Sequence, residues 1–247
     1  DINAAIEIGK RATANGMKLL VDFHYSDFWA DPGKQMSPKA WKDMAIDEKE
    51  AALYAYTKDC LQQLVDAGVD VGMVQIGNET NGAMCGEKSS DLGGWPRITQ
   101  LMSAGSKAVR EIFPDALVAL HFANPEKSES YVSYGKNLDY YQVDYDVFAS
   151  SYYPFWHGTL KDLSDNMNDL AVRYQKDIYV AEVSMGFTMK DYKEYEKLSD
   201  NERKGMATKP HLAEAVEYPM TPKGQADFMQ EIMERIKQVP QGRGKGF

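Results

Sequence analysis

Stretches of strand type alternate with helical stretches along the whole chain, and this alternation constrains the fold more than any other feature. The predicted strands cover 17–24, 71–76, 116–121, 146–152 and 178–183. The predicted helices cover 3–14, 48–66, 95–113, 127–141 (the weakest pattern), 160–174 and 222–238. Because strands and helices alternate at this spacing, we expect βα units around a parallel sheet.

The connecting segments are asymmetric. Those after helices are short, as at 15–16 and 67–68, whereas those after strands are long, polar and aromatic. This layout is typical of a (β/α)8 barrel, whose active site is built from the loops that follow the strands. A Gly-x-Gly-x-x-Gly motif after a strand is absent, so a dinucleotide-binding fold has no support. Five strands, with a sixth starting at Phe247, cannot close such a barrel, and we expect 1–247 to form one incomplete barrel domain.

Charge and hydropathy exclude several classes of partner. The formal net charge of −9 argues against a nucleic-acid partner, which requires a basic face, and favours a neutral substrate. The sequence lacks an apolar run of the roughly 20 residues that a membrane span needs. The two cysteines, Cys60 and Cys85, have no metal-ligand spacing and leave the redox compartment open.

Two predicted strands end in a glutamate. Glu79 follows the strand at 71–76, directly after Asn78, and Glu182 ends a strand with little other polarity. Each could simply cap a helix or pair with a lysine, but burying a charge costs several kcal/mol unless it is paired or neutralised. Two such residues suggest two carboxylates in one cleft, which is the equipment for cleaving a glycosidic bond. A spacing of about 5–5.5 Å would give retention of configuration, and about 6.5–9.5 Å would give inversion.

The loop at 22–35 carries acids, a histidine and four aromatic side chains. A loop anchored by its own aromatics would explain part of this pattern, but the mixture of paired polar groups and aromatics is more typical of a sugar subsite. We therefore predict sugar contacts from four of its residues: His24, Asp27, Trp29 and Asp31.

This loop, D-F-H-Y-S-D-F-W-A-D-P-G-K-Q, resembles the endo-β-1,4-galactanases of glycoside hydrolase family 53, a family of retaining (β/α)8 glycosidases. The resemblance covers essentially the whole chain and includes Q-I-G-N-E-T-N-G at 75–82, H-F-A-N-P at 121–125, S-Y-Y-P-F-W-H-G-T-L at 151–160, V-A-E-V-S at 180–184 and Y-P-M-T-P-K-G-Q-A-D-F at 218–228. It implies that Glu79 ends the fourth strand of the barrel as acid/base and that Glu182 ends the seventh as nucleophile. Asn78 would bind the sugar 2-hydroxyl, while the first two strands and most of the eighth would lie outside 1–247.

Further contacts are expected at the same rim of the barrel. Histidine and asparagine side chains at strand ends suit sugar hydroxyls, and aromatic rings suit stacking. We expect these contacts from His121, Asn124, Tyr152, Tyr153 and Trp156. The resemblance also implies that a tyrosine bonds the nucleophile, and the choice between Tyr152 and Tyr153 is open.

Metal sites and cofactors are not expected. A zinc site from His24, His121 and His157 is a weak alternative, because His-x-His and His-Glu-x-x-His motifs are absent. Some bacterial members of the family bind calcium after the seventh strand. The loop at 186–193 has one acid, Asp191, between two lysines, which is a poor site for a cation that prefers six to eight oxygens.

The expected function is that of an endo-acting retaining hydrolase of β-1,4-galactan in pectin. Two alternatives remain: the same chemistry on another β-1,4-glycan such as mannan or xylan, and a non-catalytic carbohydrate-binding remnant. We expect a monomer that binds a polysaccharide and that is secreted or located at the cell surface or in the periplasm.

Overall fold

The computed structural model describes residues 1–190, 194–203 and 209–247. The chain forms two compact units, which are described separately. The first consists of 1–122 with 132–149, and the second of 123–131 with 150–247. That the whole chain is one domain stays a prediction.

The strands and helices follow each other in the predicted order. The strands are β1 (Leu19–Phe23), β2 (Val71–Ile76), β3 (Ala83–Met84), β4 (Glu87–Lys88), β5 (Leu117–Phe122), β6 (Val147–Tyr152), β7 (Asp177–Val183) and β8 (Gly244–Gly246). The α-helices that the structure describes are α1 (Ile2–Ala14), α2 (Ile46–Asp66), α3 (Gly94–Ile112), α4 (Ser128–Tyr140), α5 (Leu160–Tyr174), α6 (Asp200–Arg203), α7 (Pro210–Ala213) and α8 (Pro222–Lys237). Short 3₁₀ turns lie at Lys39–Trp41, Tyr195–Lys197 and Pro240–Gly242.

The first unit is built on three parallel strands in the order β1-β2-β5. Helix α3 packs closely on this sheet at Gly105, where a Cβ would come within 2.6 Å of the Ile76 side chain. Ile98, Leu101 and Met102 are fully buried on the same helix, at the three- and four-residue spacing of one helical face. This packing fixes the C-terminal end of β2, from which the Glu79 loop begins.

The second unit contains the parallel pair β7 and β8, with Ile178 opposite Gly244. Helix α5 begins with a capping box in which Thr159 and Asp162 bond each other's backbone N–H groups. Helix α8 begins after Thr221, whose hydroxyl accepts from the Gly224 N–H. These caps set where the loop after β6 ends and where the polypeptide returns to the sheet.

The structure confirms the alternation and corrects three details. The hairpin β3–β4 lies in the loop after β2 and was not predicted, because two-residue strands leave no period-two pattern. The segment 184–221, between the predicted strand 178–183 and the predicted helix 222–238, contains the short helices α6 and α7. The last strand starts at Gly244 and not at Phe247, since a run of glycine and basic residues lacks the apolar signal of a strand. None of the described helices combines the length and apolarity that crossing a membrane would need.

Candidate active site

Glu79 is held in a strained turn at the end of β2. Its φ angle is +47°, in the left-handed region that non-glycine residues rarely adopt, and Gly77 before it has a φ of +80°. Backbone hydrogen bonds flank the carboxylate: the Gly77 N–H donates to the Phe23 carbonyl, and the Thr80 N–H donates to the His121 carbonyl, both at 2.9 Å. Glu79 is 8% exposed. The turn therefore presents a buried carboxylate on a fixed backbone.

Asn78 is buried beside Glu79 and is bonded at both ends of its amide. Its Nδ2 donates to the Ala30 carbonyl at 2.9 Å. Its Oδ1 accepts from Gln75 Nε2 at 3.1 Å and lies 2.9 Å from His121 Nδ1. These bonds fix the amide orientation, with its second N–H hydrogen available for another acceptor.

Gln75 is the centre of this hydrogen-bonded group. Its Nε2 donates to Asp22 Oδ1 at 2.7 Å and lies 3.1 Å from His121 Nδ1, in addition to the bond to Asn78. Gln75 is 3% exposed and lies inside the otherwise apolar strand β2. A buried amide at this position connects the ends of β1, β2 and β5, because each contributes one of its partners.

The loop at 22–35 is folded by its own polar groups. His24 accepts the Ala30 N–H on Nδ1 at 2.7 Å and bonds Asp22 Oδ2 through Nε2 at 2.9 Å. Asp31 closes a tight turn by accepting from the Gly33 N–H and from Lys34 Nζ, both at 2.8 Å. Burial alone would raise the pKa of Asp31, but these bonds lower it below its ordinary value.

The other two predicted residues of this loop differ in exposure and role. Asp27 accepts the N–H of Lys39, the first residue of the 3₁₀ turn, at 2.9 Å. Trp29 is 59% exposed, is packed against Phe28 at a ring distance of 4.1 Å, and lies near Lys34 Nζ. A supported and exposed indole of this kind can stack against a sugar ring.

The hairpin after Glu79 is anchored by a partly buried charge cluster. Lys49 Nζ donates to Glu87 Oε1 at 2.6 Å and to the Cys85 carbonyl at 3.1 Å, while Arg97 Nε donates to Glu87 Oε2 at 2.6 Å. Burial alone would raise the pKa of Glu87, but the two cations lower it. Gln35 also donates to the Asn78 carbonyl at 2.7 Å. Helix α2 and the 22–35 loop thus both hold the Glu79 segment.

In the second unit, Glu182 lies near the end of β7 and is partly exposed. The Tyr153 hydroxyl donates to Glu182 Oε2 at 2.5 Å. Tyr152 is buried instead, and its hydroxyl donates to the Gly158 carbonyl at 3.1 Å. The choice left open by the sequence is therefore decided in favour of Tyr153.

His157, which the sequence suggested only as a weak zinc ligand, is buried beside Tyr153. Its Nδ1 accepts the Tyr153 N–H at 3.1 Å, and its ring makes a second hydrogen bond to the Ser151 backbone. Burial lowers the pKa of His157 to about 4, against the bond to the Ser151 backbone, which would raise it, and the nearby charge of Lys127 adds to the lowering. The imidazole is neutral at ordinary pH, with Nδ1 as an acceptor.

The remaining predicted contacts of this unit are partly exposed. Trp156 is 45% exposed and packs edge-on against Tyr153. It lines a cavity of about 340 Å³ together with Tyr152, Tyr218 and Glu217. Asn124 has a φ of +67°, and its Nδ2 donates to Glu126 Oε1 at 3.2 Å. An exposed indole in this loop can serve as a second stacking surface.

The expectation that the chain holds no metal ion stays a prediction. Within each unit taken alone, the described residues do not bring three His, Cys, Asp or Glu ligand atoms together. Both ring nitrogens of His157 already have protein partners. The calcium prediction concerns a loop whose residues 191–193 lie outside the described residues, and it stays a prediction.

Four residues that hold the groups of this site were not predicted from the sequence. Asp22, Gln35 and Gln75 hold the Asn78–Glu79 turn, and His157 contacts Tyr153. One signal was present for Gln75, because a glutamine inside the apolar run at 71–76 needs buried partners. The partners of Gln35 and His157 depend on loop conformation, for which the sequence carries no comparable signal.

A family model and several characterised proteins are similar to this chain in sequence. A family model described as Glycosyl hydrolase family 53 matches residues 1–247. The endo-β-1,4-galactanase of Bacillus subtilis (strain 168) is 48% identical over 236 residues, which are 96% of this chain and 52% of that protein. An arabinogalactan endo-β-1,4-galactanase of Cellvibrio japonicus (strain Ueda107) is 34% identical over 238 residues, covering 92% of this chain and 60% of that protein. The chain thus spans about half the length of the first relative.

Solved structures agree with the predicted fold. The Ignisphaera aggregans GH53 catalytic domain aligns with a TM-score of 0.88 at 31% identity, covering 100% of this chain and 66% of that one. A native xylanase 10C from Cellvibrio japonicus, at 14% identity and a TM-score of 0.65, shares the fold alone. The predicted (β/α)8 fold class is confirmed, with this chain covering part of such a barrel.

Proposed function

Because this chain belongs to glycosyl hydrolase family 53, we propose that it carries the catalytic carboxylates of a retaining endo-β-1,4-galactanase. Glu182 is the nucleophile, and Glu79 is the acid/base. The observation that carries the proposal is the pair of strand-end glutamates, each with a built polar environment, in a chain 48% identical to an endo-β-1,4-galactanase.

Glu79 is suited to proton transfer by its surroundings. It is buried, and its backbone N–H lies 3.3 Å from His121 Nδ1, so the turn is tied to β5. In the proposed mechanism Glu79 protonates the leaving oxygen and later removes a proton from the attacking water. A carboxyl group on a fixed backbone can be held at one place for both proton transfers.

Glu182 is suited to nucleophilic attack. Its Oε2 accepts a short bond from the Tyr153 hydroxyl, which fixes the orientation of the carboxyl group and leaves Oε1 for the anomeric carbon. Attack would give a covalent glycosyl-enzyme that water hydrolyses with Glu79 as base. This double displacement requires the two carboxyl groups to stand about 5–5.5 Å apart.

The substrate proposal depends on the relatives and the loop at 22–35. The named relatives include an endo-β-1,4-galactanase and arabinogalactan endo-β-1,4-galactanases. Trp29 and Trp156 are exposed enough to stack on galactose rings, while Asn78 is proposed to bind the 2-hydroxyl of the reacting sugar. His24, Asp27, Asp31, His121, Asn124 and Tyr152 stay proposed contributors to the sugar site, directly or by shaping it.

Degradation of pectin galactan outside the cell, as a monomer and without a metal cofactor, completes the proposal. A neutral polysaccharide agrees with the net charge of −9. Its size also requires the enzyme to meet it outside the cytoplasm, which supports secretion or display at the cell surface or in the periplasm.

The test is an assay of the full-length protein on β-1,4-galactan, mannan and xylan, with the configuration of the first product followed by proton NMR. We expect galactan cleavage that releases the β-anomer first. Xylan or mannan cleavage without galactan cleavage would refute the substrate, and initial release of the α-anomer would refute double displacement.

Variants separate catalysis from binding. Glu79→Gln and Glu182→Gln should lose activity but still bind galacto-oligosaccharides in calorimetry, whereas the exposed control Glu7→Gln should behave as the parent protein. Binding by the parent protein without any turnover would instead favour a carbohydrate-binding remnant.

A further inference from the structure

The loop after β6 is organised around His157, although the sequence shows no role for this residue in sugar cleavage. Three contacts join His157 to Tyr153. The Tyr153 N–H donates to His157 Nδ1 at 3.1 Å, the His157 N–H donates to the Tyr153 carbonyl at 2.9 Å, and the two rings meet edge-on at 5.6 Å. The backbone and the ring of Tyr153 are thus both held by the same residue.

The position of Tyr153 matters because of what its hydroxyl contacts. The bond to Glu182 Oε2 is 2.5 Å long, at the short end for hydroxyl–carboxylate bonds. A bond of this length requires the phenol to be held within a few tenths of an ångström. Tyr153 lies in the segment between the end of β6 at Tyr152 and the start of α5 at Leu160, outside both elements.

His157 is suited to this task because it is buried and has a fixed tautomer. It is 6% exposed, and with Nδ1 accepting from Tyr153 the ring proton lies on Nε2, where it can serve the bond to the Ser151 backbone. The ring therefore connects the end of β6 at Ser151 to the loop at Tyr153, and it keeps the acceptor that the Tyr153 N–H needs.

We propose that His157 is a positioning residue that holds the Tyr153 hydroxyl on Glu182. It does not touch substrate, and it acts on the nucleophile only through Tyr153. The expected change in kcat rests on the proposed function. The contacts among His157, Tyr153 and Glu182 do not depend on it.

Two conservative variants separate positioning from packing. In His157→Asn the amide oxygen can occupy the place of Nδ1 and accept the Tyr153 N–H. In His157→Gln the amide reaches the place of Nε2, facing Ser151, and the acceptor for Tyr153 is lost. We expect the Gln variant of the full-length protein to lose roughly 10-fold in kcat on galactan with KM nearly unchanged, since small misplacements have large kinetic effects. The Asn variant should retain most of the parent activity.

A double-variant cycle tests whether His157 acts through Tyr153. Tyr153→Phe alone should lower kcat by roughly 10- to 100-fold, the loss expected for one charge-assisted hydrogen bond. The double variant Tyr153→Phe/His157→Gln should be no slower than Tyr153→Phe alone, because the second change has nothing left to position. Equal activities of the Asn and Gln variants, or multiplied losses in the double variant, would overturn the proposal.

A spectroscopic measurement keeps this test independent of activity. In protein labelled with 3-fluorotyrosine, the ¹⁹F signal that disappears in Tyr153→Phe reports on Tyr153. It should shift in His157→Gln, return towards its parent position in His157→Asn, and stay unchanged in the exposed control His211→Leu. A parent protein that cleaves no galactan would refute the proposed function alone. A Tyr153 signal that His157→Gln leaves in place would refute the positioning role alone.

Discussion

The two glutamates are held in different ways. Glu79 lies in a turn with a left-handed backbone, 8% exposed, beside a group of buried amide and imidazole side chains. Glu182 lies within the regular strand β7, is partly exposed, and bonds the side chain of Tyr153 from the loop after β6. The first carboxylate is positioned by its own strained backbone, and the second by a partner side chain.

This difference predicts how substitutions near each glutamate affect stability and activity. A non-glycine residue in the left-handed region costs roughly 1–2 kcal/mol, and the turn persists because surrounding bonds over-determine it. Changes to the residues around Glu79 should therefore alter stability and activity together. Changes around Glu182 should alter activity first, because β7 holds the backbone independently of Tyr153.

Replacing either carboxylate should have the largest effect and should separate the two roles. Glu182→Ala, which removes the proposed nucleophile, should lower kcat by about 10⁴-fold or more. Glu79→Ala, which removes the proposed acid/base, should lower kcat by about 10²–10⁴-fold. With azide and an activated aryl β-galactoside, Glu182→Ala should give the α-galactosyl azide and Glu79→Ala the β-azide. The opposite pairing of products would exchange the roles.

Protonation of the buried imidazole of His157, next to Tyr153, should make the free energy of unfolding depend on pH. Burial lowers the pKa of His157 to about 4. Between pH 6.5 and 4 the imidazole is therefore protonated in the unfolded chain but still neutral in the folded chain. Its neutral form therefore stabilises the fold fully above pH 6.5, and this contribution is lost as the pH falls to about 4, by about 3 kcal/mol in total.

The measurement is urea unfolding of the parent protein and of His157→Asn at several pH values between 7 and 4. The titrating carboxylates are common to both proteins, so the difference between the two curves isolates His157. The parent should lose stability more steeply than the variant on acidification. Parallel curves would contradict a buried neutral imidazole.

A smaller effect is expected from the amide at the centre of the Glu79 group. Gln75→Leu keeps the volume but removes the donor to Asp22 and Asn78, which should lower the free energy of unfolding by about 1–3 kcal/mol. Activity should fall together with stability in Gln75→Leu, whereas Tyr153→Phe should lower activity with a smaller change in stability. The exposed control Gln62→Leu should stay within about 0.5 kcal/mol of the parent. Loss of activity in Gln75→Leu at full stability would contradict the contrast between the two regions.

Much of the fold was predictable because it depends on patterns local to each element. The strand 71–76 was predicted to the residue, and the other long strands and helices to within three residues, since periodicity and end signals such as Gly68 and Pro114 lie in adjacent residues. The β3–β4 hairpin was missed because its geometry depends on the distant anchor Lys49. The helices α6 and α7 are too short for a periodic pattern.

The sequence by itself determined which residue types stand at the strand ends: an asparagine and a glutamate after β2, a glutamate on β7, and tyrosines at the end of β6. Local chemistry suffices for this, because a polar residue after a buried strand is visible in the order of amino acids. Only the tertiary structure decided that Tyr153 and not Tyr152 bonds Glu182, and that Gln75 and His157 hold these groups. Such contacts join residues up to dozens of positions apart, and their partners depend on backbone turns that local preferences do not specify.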